Sequence, residues 1–179
     1  MRTYIALLRG INVGGRNKLP MAELREILES IGLEDVRTYI QSGNVVFRTH
    51  TRSTSKLTAR IREAVAKDRD FEPEVMLLSL DEVERAMEAN PFPEAEDEPK
   101  ALHLFFLSSN PDDPDLEGLE SKRAPGERFA IESNVFYLHA PDGIGRSKLA
   151  ASAERLLGVP ATARNWRTVT KIIEMAGES

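Results

Sequence analysis

Val36–Thr49 reads V-R-T-Y-I-Q-S-G-N-V-V-F-R-T. β-Branched and aromatic residues on either side of Ser42-Gly43-Asn44 predict two strands, Val36–Gln41 and Val45–Thr49, joined by a tight hairpin. Helical patterns flank this pair but do not interrupt it. Before it, Thr3–Leu8 (T-Y-I-A-L-L) is an apolar strand, dense enough to be buried on both faces. A helix then starts at Pro20, shows the stripe Leu24, Ile27, Leu28 and Ile31, and stops at Gly32. After the hairpin, Ser53–Lys67 is a helix with Leu57, Ile61, Ala64 and Val65 on one face, and Glu74–Leu78 is a strand. The order β-α-β-β-α-β is that of a ferredoxin-like unit.

The rest of the chain repeats this order. Ser79 and Glu82 form a capping box for a helix to about Ala89. Asn90–Lys100 carries Pro91, Pro93, Pro99 and an acidic run, and reads as a connector. Its Asn90-Pro91-Phe92 triplet matches a short partner-docking signal only at the level of chance. Ala101–Ser108 is an apolar strand, and Asp113-Pro114 starts a short helix bearing Leu116 and Leu119. Arg128–Glu132 and Val135–His139 are strands meeting at Ser133-Asn134, and Arg146–Leu157 is a helix ending at Gly158. Val159–Ala161 supplies an edge strand, and Thr162 caps a last helix carrying Trp166, Val169, Ile173 and Ala176. S-G-N-V-V-F (Ser42–Phe47) echoes S-N-V-F-Y-L (Ser133–Leu138), and Ser55-Lys56-Leu57 echoes Ser147-Lys148-Leu149. The expected fold is α+β, two ferredoxin-like units in tandem with helices packed on antiparallel sheets. The boundaries are 1–80 for the first unit, 81–100 for a helix and connector, and 101–179 for the second unit with its C-terminal helix.

Composition limits the chemistry. With no cysteine, disulfides, thiolate metal sites and cysteine nucleophiles are excluded. The three histidines, His50, His103 and His139, have no ligand spacing, so no metal and no cofactor are expected. The N-terminus shows no secretory pattern and no apolar run spans a bilayer; a cytoplasmic protein without membrane contact is expected. The net charge of −5 argues against a general attraction to nucleic acid. The charge is uneven, however. Arg2, Arg9, Arg16 and Lys18 precede the first acid, while Glu94, Glu96, Asp97, Glu98, Asp112, Asp113 and Asp115 gather in the middle.

Arg9–Leu19, R-G-I-N-V-G-G-R-N-K-L, is a glycine-rich strand-to-helix turn with cations and no acid, a plausible seat for an anion. It matches neither a P-loop nor a dinucleotide fingerprint. In a ferredoxin-like unit the end of the first strand and the hairpin between the second and third lie at one sheet edge. Arg9, Asn12, Gly14, Gly15, Arg16 and Lys18 should therefore neighbour Gln41, Ser42 and Asn44. A second basic stretch, Thr162–Lys171, adds Arg164 and Arg167 as ligand-binding candidates: it places Arg164, Arg167 and Lys171 along one side of the expected helix, with Trp166 on another side as a core anchor.

Y-I-A-L-L-R-G-I-N-V-G-G-R-N-K, P-M-A-E-L-R-E, Y-I-Q-S-G-N-V-V-F, N-P-F and T-A-R-N-W-R-T-V-T-K together resemble the bacterial domain-of-unknown-function family 1697, from Tyr4 to about Ile173. The resemblance implies a cytoplasmic, duplicated ferredoxin-like protein and carries no activity or catalytic residues. Binding of a phosphate-bearing small molecule or nucleotide is the leading functional expectation. The alternatives are nucleic-acid binding through the basic segments, an enzyme without a recognisable motif, and self-association through sheet edges. No nucleophile elbow, metal spacing or acid–base pair favours a particular reaction. The strand N-V-V-F-R-T lacks the stacking run of RNA-recognition domains.

Overall fold

The computed structural model describes residues 1–178. They divide into two compact units: Met1–Glu84 together with the residues from Thr170 on, and Arg85–Val169. Each holds one four-stranded antiparallel sheet with helices packed on it, so the protein is α+β with two ferredoxin-like units in tandem.

In the first unit β1 (Arg2–Arg9), β2 (Glu34–Tyr39), β3 (Asn44–Thr49) and β4 (Glu74–Ser79) take the order β2-β3-β1-β4. Tyr4, Ala6 and Leu8 alternate along β1 and join one core cluster with Val45 and Phe47 of β3. Helix α1 (Met21–Ser30) adds Leu24 and Leu28, and α2 (Thr54–Asp68) adds Leu57, Ile61 and Val65. Burying such a side chain contributes about 1.5–3 kcal/mol, so this shared face dominates the packing of the unit. β1 meets β3 in a register that sets Leu7 opposite Asn44, and Leu8 N–H donates to Gly43 O at 2.8 Å.

The second unit follows the same plan. Helix α3 (Leu80–Glu88) leads into it, opened by the expected capping box: Ser79 N–H donates to Glu82 Oε2 at 2.7 Å, and Glu82 N–H to Ser79 Oγ at 3.3 Å. Strands β5 (Leu102–Leu107), β6 (Arg128–Glu132), β7 (Val135–His139) and β8 (Ala161–Asn165) take the order β6-β7-β5-β8. Helices α4 (Leu116–Lys122) and α5 (Lys148–Leu157) cover one face, with Leu119, Leu149, Ala153, Leu156 and Leu157 in the core. The turn before β7 closes as its counterpart does, Leu107 N–H donating to Asn134 O at 2.9 Å. Asn134 thus occupies the place of Gly43. Tyr137, wholly buried, donates its hydroxyl to Ala86 O at 2.5 Å near the end of α3, and burial raises its pKa to about 12.

Several sequence expectations shift. β2 ends at Tyr39 because Ile40–Ser42 wind into a 3₁₀ turn, which replaces a tight hairpin. Pro20 stands just before α1 as its N-cap, and Ser53 and Ser147 cap α2 and α5 from outside. Asp115, not Asp113, caps α4, because its side chain accepts from Gly118 N–H at 2.8 Å; Leu116 then faces solvent. The triplet Asn90-Pro91-Phe92 is half-buried. Phe92 N–H donates to Asn90 Oδ1 at 3.0 Å, and Arg128 lies over the Phe92 ring, 4.7 Å from its centre. The largest change is at the C-terminus. Phe106 pairs with Thr162 and Leu104 with Arg164, so this stretch is strand β8. The last helix, α6 (Trp166–Gly177), begins after it, and Asn165 caps it by accepting from Thr168 N–H at 2.9 Å.

His103 on β5 is buried, its Nδ1 3.2 Å from Ala101 O. Burial lowers its pKa from the usual 6.5. The unfolded chain therefore takes up a proton at a higher pH than the folded one. Stability from this neutral histidine is complete above pH 6.5 and falls as the pH drops toward the lower folded value. Urea unfolding between pH 7.5 and 5 should show a decline that His103→Asn, which keeps a donor toward Ala101 O, reduces. Identical slopes in the two proteins would refute this origin.

Candidate functional site

The loop after β1 is held at both ends by apolar anchors, Ile11 and Leu19, which are 3% and 0% exposed. Between them the chain makes a miniature hairpin. Asn12 N–H donates to Asn17 O at 3.1 Å and Arg16 N–H to Val13 O at 3.0 Å. Gly14 and Gly15 form its tip with φ of 58° and 75°, the paired positive angles of a type I′ turn. In that conformation the two central N–H groups face outward, and neither has a hydrogen-bond partner among the described residues. Val13, at 69% exposed, shares the tip.

Asn12 locks the loop in place. Its Nδ2 donates to Leu19 O at 2.8 Å and to Gln41 O at 3.0 Å, while Leu19 N–H donates to its Oδ1 at 2.8 Å. The bond to Gln41 O joins the loop to the turn before β3, so the two segments are neighbours at one sheet edge. Asn12 itself sits at φ 54°, a left-handed position that asparagine tolerates. Asn17 closes the other side, with φ 49° and Nδ2 donating to Gly10 O at 2.7 Å.

The expected site residues therefore divide by role. Arg9 pairs with Glu74, its register partner on β4. Asn44 is wholly buried and donates to Tyr39 O at 3.0 Å and Ser42 Oγ at 2.9 Å. These residues and Asn12 build the edge. Arg16 and Lys18 are exposed, with no ion pair among the described residues. Gln41 is also exposed, and Pro20 offers no side-chain oxygen to the first-turn N–H groups of α1. Two cations, two outward glycine amides and an uncapped helix start thus share the edge, while Glu23 in the first turn of α1 is paired with Arg69.

The other basic pair belongs to the second unit and is not a helical stripe. Arg164 lies on β8, partly buried, its Nη1 donating to Ala163 O at 2.8 Å; burial lowers its pKa to about 10. Arg167 lies exposed in the first turn of α6. Trp166 is 8% exposed, a core residue as expected. No metal-ligand cluster exists among the described residues, and no helix there is long and apolar enough to cross a membrane.

Sequence reasoning missed Ile40. A β-branched residue at φ 49° is a strained backbone, and this one is also 52% exposed beside Gln41. The fragment Y-I-Q reads as the end of a strand, and only the 3₁₀ turn reveals the strain.

Two ferredoxin-like units, the first bearing a cationic glycine hairpin at its sheet edge, define the class: a tandem α+β protein. The chain belongs to the family described as Protein of unknown function (DUF1697), whose model matches residues 1–137. Its structure is similar to that of the conserved bacterial protein SP0830 from Streptococcus pneumoniae. The TM-score is 0.72 and the identity 30%, over 98% of each chain. Among proteins with curated descriptions, none matches.

Proposed function

We propose that the chain binds a phosphate-bearing small molecule or nucleotide at the 9–19 loop and the 41–44 turn. The observation that carries this reading is the placement of Arg16 and Lys18, exposed and unpaired among the described residues, beside the outward amides of Gly14 and Gly15. Consecutive backbone amides in a turn form an anion-binding concavity, and the start of α1 adds positive helix-end potential. Asn12 and Asn44 hold the edge rigid, which lowers the ordering cost of binding.

Titration of the 15N-labelled chain with inorganic phosphate, then with mononucleotides, tests the reading. The amides of Gly14, Gly15 and Gly43 should shift and saturate. Hydrogen bonds to charged groups contribute about 1.5–3 kcal/mol. Replacing Arg16 and Lys18 together by Ala should therefore weaken binding about tenfold or more while leaving the spectrum of the free protein largely unchanged. Unmoved glycine amides at saturating phosphate and nucleotide would sink the reading.

A further inference from the structure

The second unit contains an open surface pocket of about 510 Å³ lined by Glu98, Pro99, Lys100, Ala101 and Arg167. Its volume falls in the range of small-molecule sites, about 300–1,000 Å³. Part of the backbone around it is paired internally. Ala101 and Leu102 N–H donate to Glu98 O at 2.8 and 3.2 Å, Arg167 N–H to Pro99 O at 3.0 Å, and Ala140 N–H to Ala101 O at 2.9 Å. The lining beside these bonds offers a guest the Pro99 ring and the Ala101 methyl. The bond from Arg167 to Pro99 ties the connector to the start of α6, so both sides of the pocket are held together.

The charges at its rim are biased. Glu98 has a partner: its Oε2 lies 3.4 Å from Nε2 of the buried His139. Arg128 Nη2 lies 3.1 Å from the other ring nitrogen, Nδ1. Arginine only donates, so in the neutral ring Nδ1 accepts and the proton sits on Nε2, toward Glu98. Lys100 and Arg167 are exposed and form no ion pair among the described residues. The rim therefore offers two free cations beside one engaged carboxylate, over an apolar floor.

We propose that this pocket binds a small amphipathic carboxylate, its apolar body on Pro99 and Ala101 and its carboxylate between Lys100 and Arg167. This is a second site, independent of the loop after β1. Hexanoate is the probe, hexanamide its neutral counterpart, and the whole 15N-labelled chain the target. Hexanoate should shift the amides of Lys100, Ala101 and Arg167 to saturation, and hexanamide should bind at least tenfold more weakly. Arg167→Ala and Lys100→Ala, each removing an exposed side chain, should each weaken hexanoate binding several-fold. The Arg16 and Lys18 double variant should bind hexanoate as the parent does, which separates this site from the phosphate site. The proposal is overturned if the shifts do not saturate, if they fall on Gly14 and Gly15 instead, if hexanamide binds equally well, or if neither variant changes the affinity.

Discussion

Replacing Gly43 by Ala is expected to destabilise the first unit by about 2–5 kcal/mol. Two effects combine. Gly43 sits at φ 74°, where a Cβ costs about 1–2 kcal/mol. The added methyl also has no room: it would lie 2.7 Å from Leu8 Cβ, 2.9 Å from Ile11 Cδ1 and 3.2 Å from Leu8 O. Leu8 Cβ and O are fixed by the β1 backbone, Ile11 Cδ1 is a side-chain end but packed in the core, and overpacking of this kind costs about 1–3 kcal/mol. Relief requires β1 and β3 to part where Leu8 N–H meets Gly43 O, the point that holds the loop beside the turn. Gly14→Ala is the control. It shares the positive φ but meets open space, so only the backbone cost of about 1–2 kcal/mol applies. Urea unfolding of both variants is the measurement. A Gly43→Ala loss no larger than that of Gly14→Ala would show that the close approach to Leu8 and Ile11 is wrong.

Asn12→Ala should be comparably severe, through polar groups rather than packing. The substitution removes both Nδ2 donations, to Leu19 O and Gln41 O, and the Oδ1 that accepts from Leu19 N–H. Groups left unpaired away from water cost about 1–3 kcal/mol each, and alanine at φ 54° adds about 1–2 kcal/mol. Partial solvation of the loop offsets some of this, and a total of about 3–5 kcal/mol is expected. Asn12→Asp keeps the acceptor for Leu19 N–H and tolerates the left-handed backbone, but sets a carboxylate oxygen against Leu19 O and Gln41 O, so it too should destabilise. Hydrogen exchange gives the local readout: the Leu19 amide should lose its protection in the alanine variant and keep part of it in the aspartate variant. On the proposed function, the shifts of Gly14 and Gly15 with phosphate should fade in parallel, since Arg16 and Lys18 are carried by the hairpin that Asn12 fixes. Unchanged protection at Leu19 would dismiss Asn12 as the lock.

Much of the fold was legible because it depends on local pattern. The apolar run Thr3–Leu8 and the spacing of Leu57, Ile61 and Val65 mark the elements that meet in the core. Ser79 and Glu82 encode a cap that needs nothing beyond its own turn. Errors cluster where a local preference competes with a distant partner. Thr162 is a sound N-cap by type, but pairing with Phe106 commits it to the sheet and moves Arg164 off the helix. Asp113-Pro114 is a sound helix start, yet Asp115 takes the cap by reaching Gly118 N–H.

The site divides the same way. Element order, the doubled unit and the adjacency of the 9–19 loop to the 41–44 turn are already written in local pattern. That adjacency follows from chain direction alone, because β1 and β2 run parallel with β3 between them. Which of the loop's polar residues are spent on architecture depends on contacts between distant segments. Arg9 meets Glu74 because of a register set by the whole sheet, and Asn12 reaches Gln41 O because the loop folds back into a hairpin. Ile40 takes its strained conformation because the chain must turn within the span between Tyr39 and its partner Asn44. Residue type announces that a side chain can bind an anion; its long-range partners decide whether it remains free to do so.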